Sequence, residues 1–234
     1  MYTDIIMKIA IHQANYLPYL GFFHKLANCD LFLIYDTAQF VKGEYHNRNT
    51  IKWANWTILL TLPVKKESHF LALQHTHFDS SILKKHWMMI SQSYAKAPFF
   101  KDYKQQFECL YNTYEWNNLN EFNTELIRAI ATAFDIHTPI HYVSDYVAAS
   151  EERSTDALIT ICKQSGADAY LSGAWAKSYL DAWKFEEAHI ALEYQSFHHP
   201  IYEQLWWTFV PYMCSLDLLF NVWPNSKAVL LAST

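Results

Sequence analysis

Four glycines in 234 residues leave little room for a glycine-built phosphate site. Neither a P-loop nor a G-x-G-x-x-G turn can be assembled from them, and no G-x-S-x-G nucleophile elbow occurs. Cysteine is as scarce: Cys29, Cys109, Cys162 and Cys214 are scattered, with no C-x-x-C pair. A reducing compartment is therefore expected rather than a disulfide framework. No apolar run approaches the length of a membrane span. The opening stretch MYTDIIMKIAI lacks the basic-then-apolar order of a secretory signal, and Met7 can itself serve as a start. A soluble, cytoplasmic protein is the expectation. Long runs of like charge are missing too. The formal net charge is -5, and the longest basic cluster is the pair Lys65-Lys66, with Lys84-Lys85 behind it. General nucleic-acid binding is disfavoured on that ground. One anionic small molecule needs only two or three local cations and stays compatible.

Apolar residues are plentiful. At 51% they suffice for a core, which argues against wholesale disorder. Aromatics reach 17%, with nine Trp and sixteen Tyr, so some rings are expected to line a pocket or partner surface. Ile9–Ile11 is short, β-branched and unbroken, as a strand buried on both faces should be. Pro18 suits the first turn of a helix, whose apolar stripe is Phe22, Phe23, Leu26 and Ala27. Leu31–Tyr35 is the next strand, which completes a short βαβ unit. Arg48–Lys52 and Trp56–Val64 read as a hairpin turning at Ala54-Asn55, and Leu71–Asp79 alternates loosely. From Ser81 to about Phe134 the apolar period is helical, broken at Pro98 and at the Asn-rich stretch 117–120. Strand and helix then alternate: a strand over Ile140–Val143, a helix from Ser154 or Thr155 to Ser165 closed by Gly166, a strand over Ala169–Leu171, a short helix near Lys177–Trp183, a strand over Ile190–Tyr194 and a helix over Ser215–Phe220.

This pattern predicts an α/β fold: a Rossmann-like, mostly parallel sheet with a β-hairpin and a helical insertion near residues 81–134. Ligands of such sheets sit beyond the carboxyl ends of the strands. The stretch HQANYLPYLGFF follows the first strand at such an end. His12 can serve as base or donor there, Gln13 and Asn15 as orienting amides, and Tyr16 and Tyr19 as walls. The alternative is a polar loop that only satisfies its own backbone. Asp36 ends the second strand on the same edge. In His46–Lys52, an extended chain puts Arg48 and Lys52 on one face, a cationic ladder able to grip a phosphate or carboxylate. Cations that protect an edge strand would look the same. The turn at Ser172-Gly173, supported by Lys177, is a second candidate anion site on that edge. His199, Tyr202 and Gln204 belong to a loop able to fold back over it. His75 and His77 could face one way on a strand, but no fourth ligand is evident and no metal is assigned. Cys29, on a helix end that looks packed, is the cysteine nearest the first motif and gives little support for a thiol nucleophile.

In order, MKIAIHQANYLPYLGFFHKL, DLFLIYDTAQF, HNRNTIK, YLSGAWAKSYLD, HPIYEQ and FVPYMCSLDLLFN resemble the pattern of the WbqC-like protein family. The similarity runs from Met7 to about Pro224 and implies one WbqC-like domain over residues 1–234. It places His12, Gln13, Asn15 and Tyr16 in the first family motif, and Gln39, Asn47, Arg48, Asn49 and Lys52 in the second. Ser172 and Gly173 fall in the third; His199, Tyr202 and Asp217 fall in the last. Ala14, Ala174-Trp175-Ala176 and Trp223 depart from it, standing where the family favours Pro, a Pro-Gly type turn and Gly. What the resemblance implies is transfer of a small acyl or aminoacyl group to an amino sugar or nucleotide-sugar in bacterial surface-polysaccharide (O-antigen) biosynthesis. His12 and Arg48 would be its catalytic pair, and no cofactor is assigned. The implied partner is a small molecule, a nucleotide-sugar or acyl donor. A non-catalytic nucleotide-sugar-binding protein of a glycan assembly complex is the alternative. A weaker resemblance, to HxGH nucleotidylyltransferases, rests on strand, loop and helix alone: aromatics replace both histidines around Pro18–Phe22.

Overall fold

The computed structural model describes residues 6–54, 56–147 and 154–233. From the amino end come β1 (Lys8–His12), α1 (Leu20–Ala27) and β2 (Leu31–Ile34), followed by the hairpin strands β3 (Arg48–Lys52) and β4 (Thr57–Thr61). Three long helices follow, α2 (Leu83–Tyr94), α3 (Phe100–Asn112) and α4 (Leu119–Ala133). The second half runs β5 (Ile140–Tyr142), α5 (Ser154–Gln164), β6 (Ala169–Ser172), α6 (Ala182–Glu187), β7 (Ala191–Tyr194), α7 (Leu216–Val222) and α8 (Ser226–Leu231).

The five strands other than the hairpin form one sheet in the order β5-β2-β1-β6-β7, every pair parallel. The fold is thus the expected α/β sheet with a separate antiparallel hairpin and helices. Alternation explains its two faces. Ile9, Ile11, Leu31 and Leu33 pack toward α5 through Ile159, Ile161 and Cys162. Ala10, Phe32 and Ile34 pack the other way, against α1, the α2–α4 block and the C-terminal helices. Between Ile9 and Ile11, and throughout Leu31–Ile34, the central strands therefore carry only apolar residues.

The strand order reverses between β1 and β6, and there the sheet parts. β1 stays in register with β2 as far as His12↔Ile34. With β6 it pairs only at Lys8↔Ala169 and Ile9↔Tyr170. β6 meanwhile follows β7 to Ser172↔Tyr194. The carboxyl ends of the two middle strands are therefore not paired with each other, at the position where sheets of this kind take ligands.

Several local expectations needed revision. Leu71–Asp79, which only alternates loosely, is irregular: a 3-10 turn occupies Leu73–His75, and single bridges join Val64 to Phe78 and His77 to Asn118. Gly173 does not open an α-helix. It is extended, a 3-10 segment covers Ala174–Ser178, and α6 starts afresh where the Asp181 side chain accepts from Trp183 N–H. Pro18 lies just outside α1, whose N-cap is Tyr19. Helix α8 has too short an apolar period to have been noticed. The Asn-rich break is real: the Asn118 side chain accepts from Glu121 N–H at 3.1 Å and caps α4. Asn55, half of the expected hairpin turn, lies outside the described residues.

Candidate functional site

In a parallel strand successive carbonyls point to opposite neighbours. The carbonyls of Lys8 and His12 accept from Asp30 and Tyr35, on the β2 side, while that of Met7 accepts from Asp168 and Ala169, on the β6 side. The Ile11 carbonyl therefore faces β6, beyond the last β1–β6 pair. The Lys25 ammonium, reaching across from α1, donates to it at 3.3 Å. Lys25 is only 4% exposed. None of the ion pairs among the described residues includes it. Burial lowers its pKa to about 8.

His12 ends β1 at the same place, paired with β2 and not with β6. Its ring meets Phe22 edge-on, with centroids 5.0 Å apart. Nδ1 lies 2.9 Å from the Gln13 carbonyl, which can only accept, so Nδ1 carries the proton and Nε2 keeps its lone pair. Nε2 has no partner among the described residues. Burial, then the Lys25 charge, then His46 press the pKa of His12 down to about 3, against one upward pull from the Gln13 bond. The imidazole is neutral at any physiological pH. The Gln13 and Asn15 side-chain amides likewise make no hydrogen bond within the described residues.

The loop after His12 is held from three sides. Asn123 of α4 donates through Nδ2 to the Ala14 carbonyl at 3.0 Å and to the His46 carbonyl at 2.7 Å, which joins this loop to the hairpin approach. Tyr16 N–H donates to the Tyr45 carbonyl at 2.9 Å. Asn49 Nδ2 donates to the Leu17 carbonyl at 2.6 Å, and Leu17 itself takes the left-handed region at φ 45. Tyr16 is no pocket wall. It is fully buried, and its hydroxyl lies 2.9 Å from both His86 Nδ1 and Tyr111 Oη, inside the helical block. Tyr19, by contrast, is exposed and shares a surface neighbourhood with Tyr45 and Tyr212. Its ring lies across Gly21, where a Cβ would come within 2.4 Å of it.

The remaining candidates divide. Asp36 is buried and spent on Ser144, whose N–H and hydroxyl it accepts. Asn47 is buried and donates to the Leu62 carbonyl at 2.8 Å. Lys52 does not stand in a ladder with Arg48. It is buried, and its ammonium donates to Gln204 Oε1 at 2.9 Å and to the Thr208 carbonyl. Tyr202 and Tyr94 donate to the two oxygens of Asp217 at 2.9 and 3.0 Å, so Tyr202 also belongs to that inner cluster. His199 donates through Nδ1 to the Pro200 carbonyl and accepts at Nε2 from Tyr212 N–H, so both its nitrogens are occupied. Gln39 is exposed and bridges to Ala72. Arg48 is half-exposed beside Gly43, with no ion pair among the described residues. Ser172 is buried at the carboxyl end of β6, next to Gly173, and its carbonyl accepts from Gln195 N–H at 2.8 Å. Lys177 is exposed and lies 5.1 Å from the centre of the Tyr194 ring.

Sequence reasoning missed Lys25 and Asn123. Both sit in apolar helical stripes, where a polar residue reads as solvent-facing. For Lys25 one signal existed: an eight-residue helix spanning two fully buried strands has almost no outer face. Among the described residues, no three His, Cys, Asp or Glu side chains cluster to hold a metal, and His75 and His77 join no such group.

The WbqC-like protein family model matches residues 13–229, which takes in the loop after β1, α1, the hairpin and both later motifs. The chain belongs to the WbqC-like protein family. A relative from Mycobacterium tuberculosis (strain ATCC 25618 / H37Rv), described as uncharacterized protein Rv1507c, is 34% identical over 218 residues, which cover 92% of this chain and 94% of the relative. No solved structure matches. Among the described residues of this WbqC-like chain, no helix is long and apolar enough to cross a membrane.

Proposed function

We propose that this WbqC-like protein transfers a small acyl or aminoacyl group to the amine of an amino sugar or nucleotide-sugar, in the surface-polysaccharide setting its family resemblance implies. One observation carries the reading. His12 has Nδ1 pinned to a carbonyl and Nε2 unbonded, at the sheet edge where such folds take ligands. That is the tautomer a general base needs. The amine nitrogen would form the new bond to the acyl carbon as the bond to the leaving group breaks. His12 Nε2 would take the amine proton and return it to the leaving group. An imidazole pressed down to about 3 is a weak base while the site is empty. An anionic substrate beside Lys25 would offset the ammonium field and raise its basicity. Arg48, unpaired and half-exposed, remains available for the distal anionic part of the donor, and Gln13 and Asn15 for orientation.

The test is turnover with an amino-sugar nucleotide and an activated acyl donor. His12→Ala should abolish transfer while leaving nucleotide-sugar binding intact; unchanged turnover removes His12 as base. Tight nucleotide-sugar binding with no conversion in wild type would favour the non-catalytic binding reading instead. Magnesium-dependent release of pyrophosphate would favour nucleotidyl transfer.

A further inference from the structure

We infer that Lys25 anchors an oxyanion subsite beyond the last β1–β6 pair, where its ammonium takes a phosphate or carboxylate group of the ligand beside the His12 imidazole. The inference deepens the reading of this edge as the ligand site and names the group bound deepest in it. An ammonium has three N–H donors, and Lys25 uses one, on a carbonyl at 3.3 Å. No carboxylate lies within ion-pair distance among the described residues. A buried charge left so incompletely coordinated is costly unless something supplies the missing partner.

Among the described residues, its surroundings offer no internal counter-ion. Cys29, the other titratable group acting on it, has its thiol pushed up to about 12 and is neutral. His12 and His46 are both shifted toward the neutral form, chiefly by burial. Asp36, at the next strand end, is committed to Ser144. One positive charge therefore stands uncompensated where two strands diverge, with the free Nε2 of His12 and the unbonded amides of Gln13 and Asn15 on the adjoining loop. A neutral ligand would leave the charge uncompensated, whereas an oxyanion satisfies both the charge and the remaining N–H groups. Lys25 would act here as a binding residue, and through its field as a modulator of His12.

The experiment titrates inorganic phosphate and pyrophosphate into the full chain at low ionic strength, by calorimetry and thermal melting. The variants are Lys25→Met, Lys25→Arg and the exposed control Lys42→Met. Binding should raise the melting temperature of wild type and of Lys42→Met. Lys25→Met should melt no lower than wild type without anion, since an apolar chain replaces a buried charge, yet bind phosphate about tenfold or more weakly. A purely structural lysine predicts the opposite pair: a lower melting point and an unchanged anion response. The second readout is the His12 imidazole followed by NMR, whose pKa should rise on adding phosphate to wild type. Should Lys25→Met fail to fold, Lys25→Arg, which keeps the charge, should retain binding, and phosphate should shift the wild-type signals of Lys25 and His12. Absence of phosphate and pyrophosphate binding in wild type, equal binding by Lys25→Met, or shifts confined to other residues overturns the inference. Lys25-dependent anion binding without acyl transfer would keep this subsite and discard the transfer reading; transfer without it would do the reverse.

Discussion

Two lysines among the described residues are buried, and they are buried differently. Lys52, at the end of β3, is 2% exposed and donates to two acceptors, Gln204 Oε1 and the Thr208 carbonyl, in the field of the Asp217 carboxylate, itself held by Tyr94 and Tyr202. Lys25, on α1, is 4% exposed and has one carbonyl. Burial lowers the pKa of both, but only Lys52 has a carboxylate pulling it back. A buried ammonium with two donors bonded and a carboxylate in its field works as a rivet; here it ties the hairpin to the 204–208 loop. One left open, where a parallel sheet parts, has the character of a receptor. Burial by itself does not distinguish the two. The count of satisfied donors does.

The contrast breaks most sharply at Lys52. Lys52→Met strands the Thr208 carbonyl and removes the positive charge from the field of Asp217, whose pKa already stands at about 6. The expected loss is about 3 kcal/mol, a fall of roughly 6–12 °C in melting temperature. Lys25→Met should show no such loss, and equal falls would erase the distinction. An effect of similar size sharpens the comparison through pH. Because the folded pKa of Lys25 is lowered to about 8, its charged form is penalised in the fold at every pH below that value. The penalty fades as pH rises from about 8 to the unfolded value of 10.5. The stability advantage of Lys25→Met over wild type should therefore be greatest below pH 8. Above it, the advantage should shrink by about 1.4 kcal/mol per pH unit. Parallel denaturation curves across that window would contradict the assignment. Smaller than either is Asn123→Ala, which releases the Ala14 and His46 carbonyls together. A loss of about 2 kcal/mol is expected, with the His12 loop loosened and anion binding weakened while the Lys52 cluster keeps its hydrogen bonds. Amide exchange at the two regions would report the difference.

Much of the fold was legible because its signals are local. An unbroken β-branched run marks a strand covered on both sides, as Ile9–Ile11 is, and a helical period separates α2, α3 and α4. Gly166 at φ 72 closes α5 where it was expected to. The elements misread are those whose conformation depends on distant partners. Leu73–His75 turns, Gly173 is the extended cap of a 3-10 segment, and α6 starts from its own cap at Asp181. The candidate site divides the same way. His12, Gln13 and Asn15 could be placed from the strand end they follow. Tyr16, Asn47 and Asn49 proved to be fasteners, because a polar group in a loop can face inward as readily as outward. Lys25 went unseen because helical periodicity says which face is apolar and not what that face touches.

The sequence by itself determined the alternation of strands and helices, the strand end that carries the polar loop and the family to which the chain belongs. These follow from the order of residues along the chain and from backbone geometry within a few residues. Only the tertiary structure decided which of its cations are answered and which are left open, since that depends on groups far apart in the chain: Lys52 meets Gln204, and Lys25 meets the unpaired carbonyl of Ile11 where β1 leaves β6. The physical reason is that the cost of a buried charge is set by whatever packing brings within hydrogen-bond reach, and packing is a property of the whole fold.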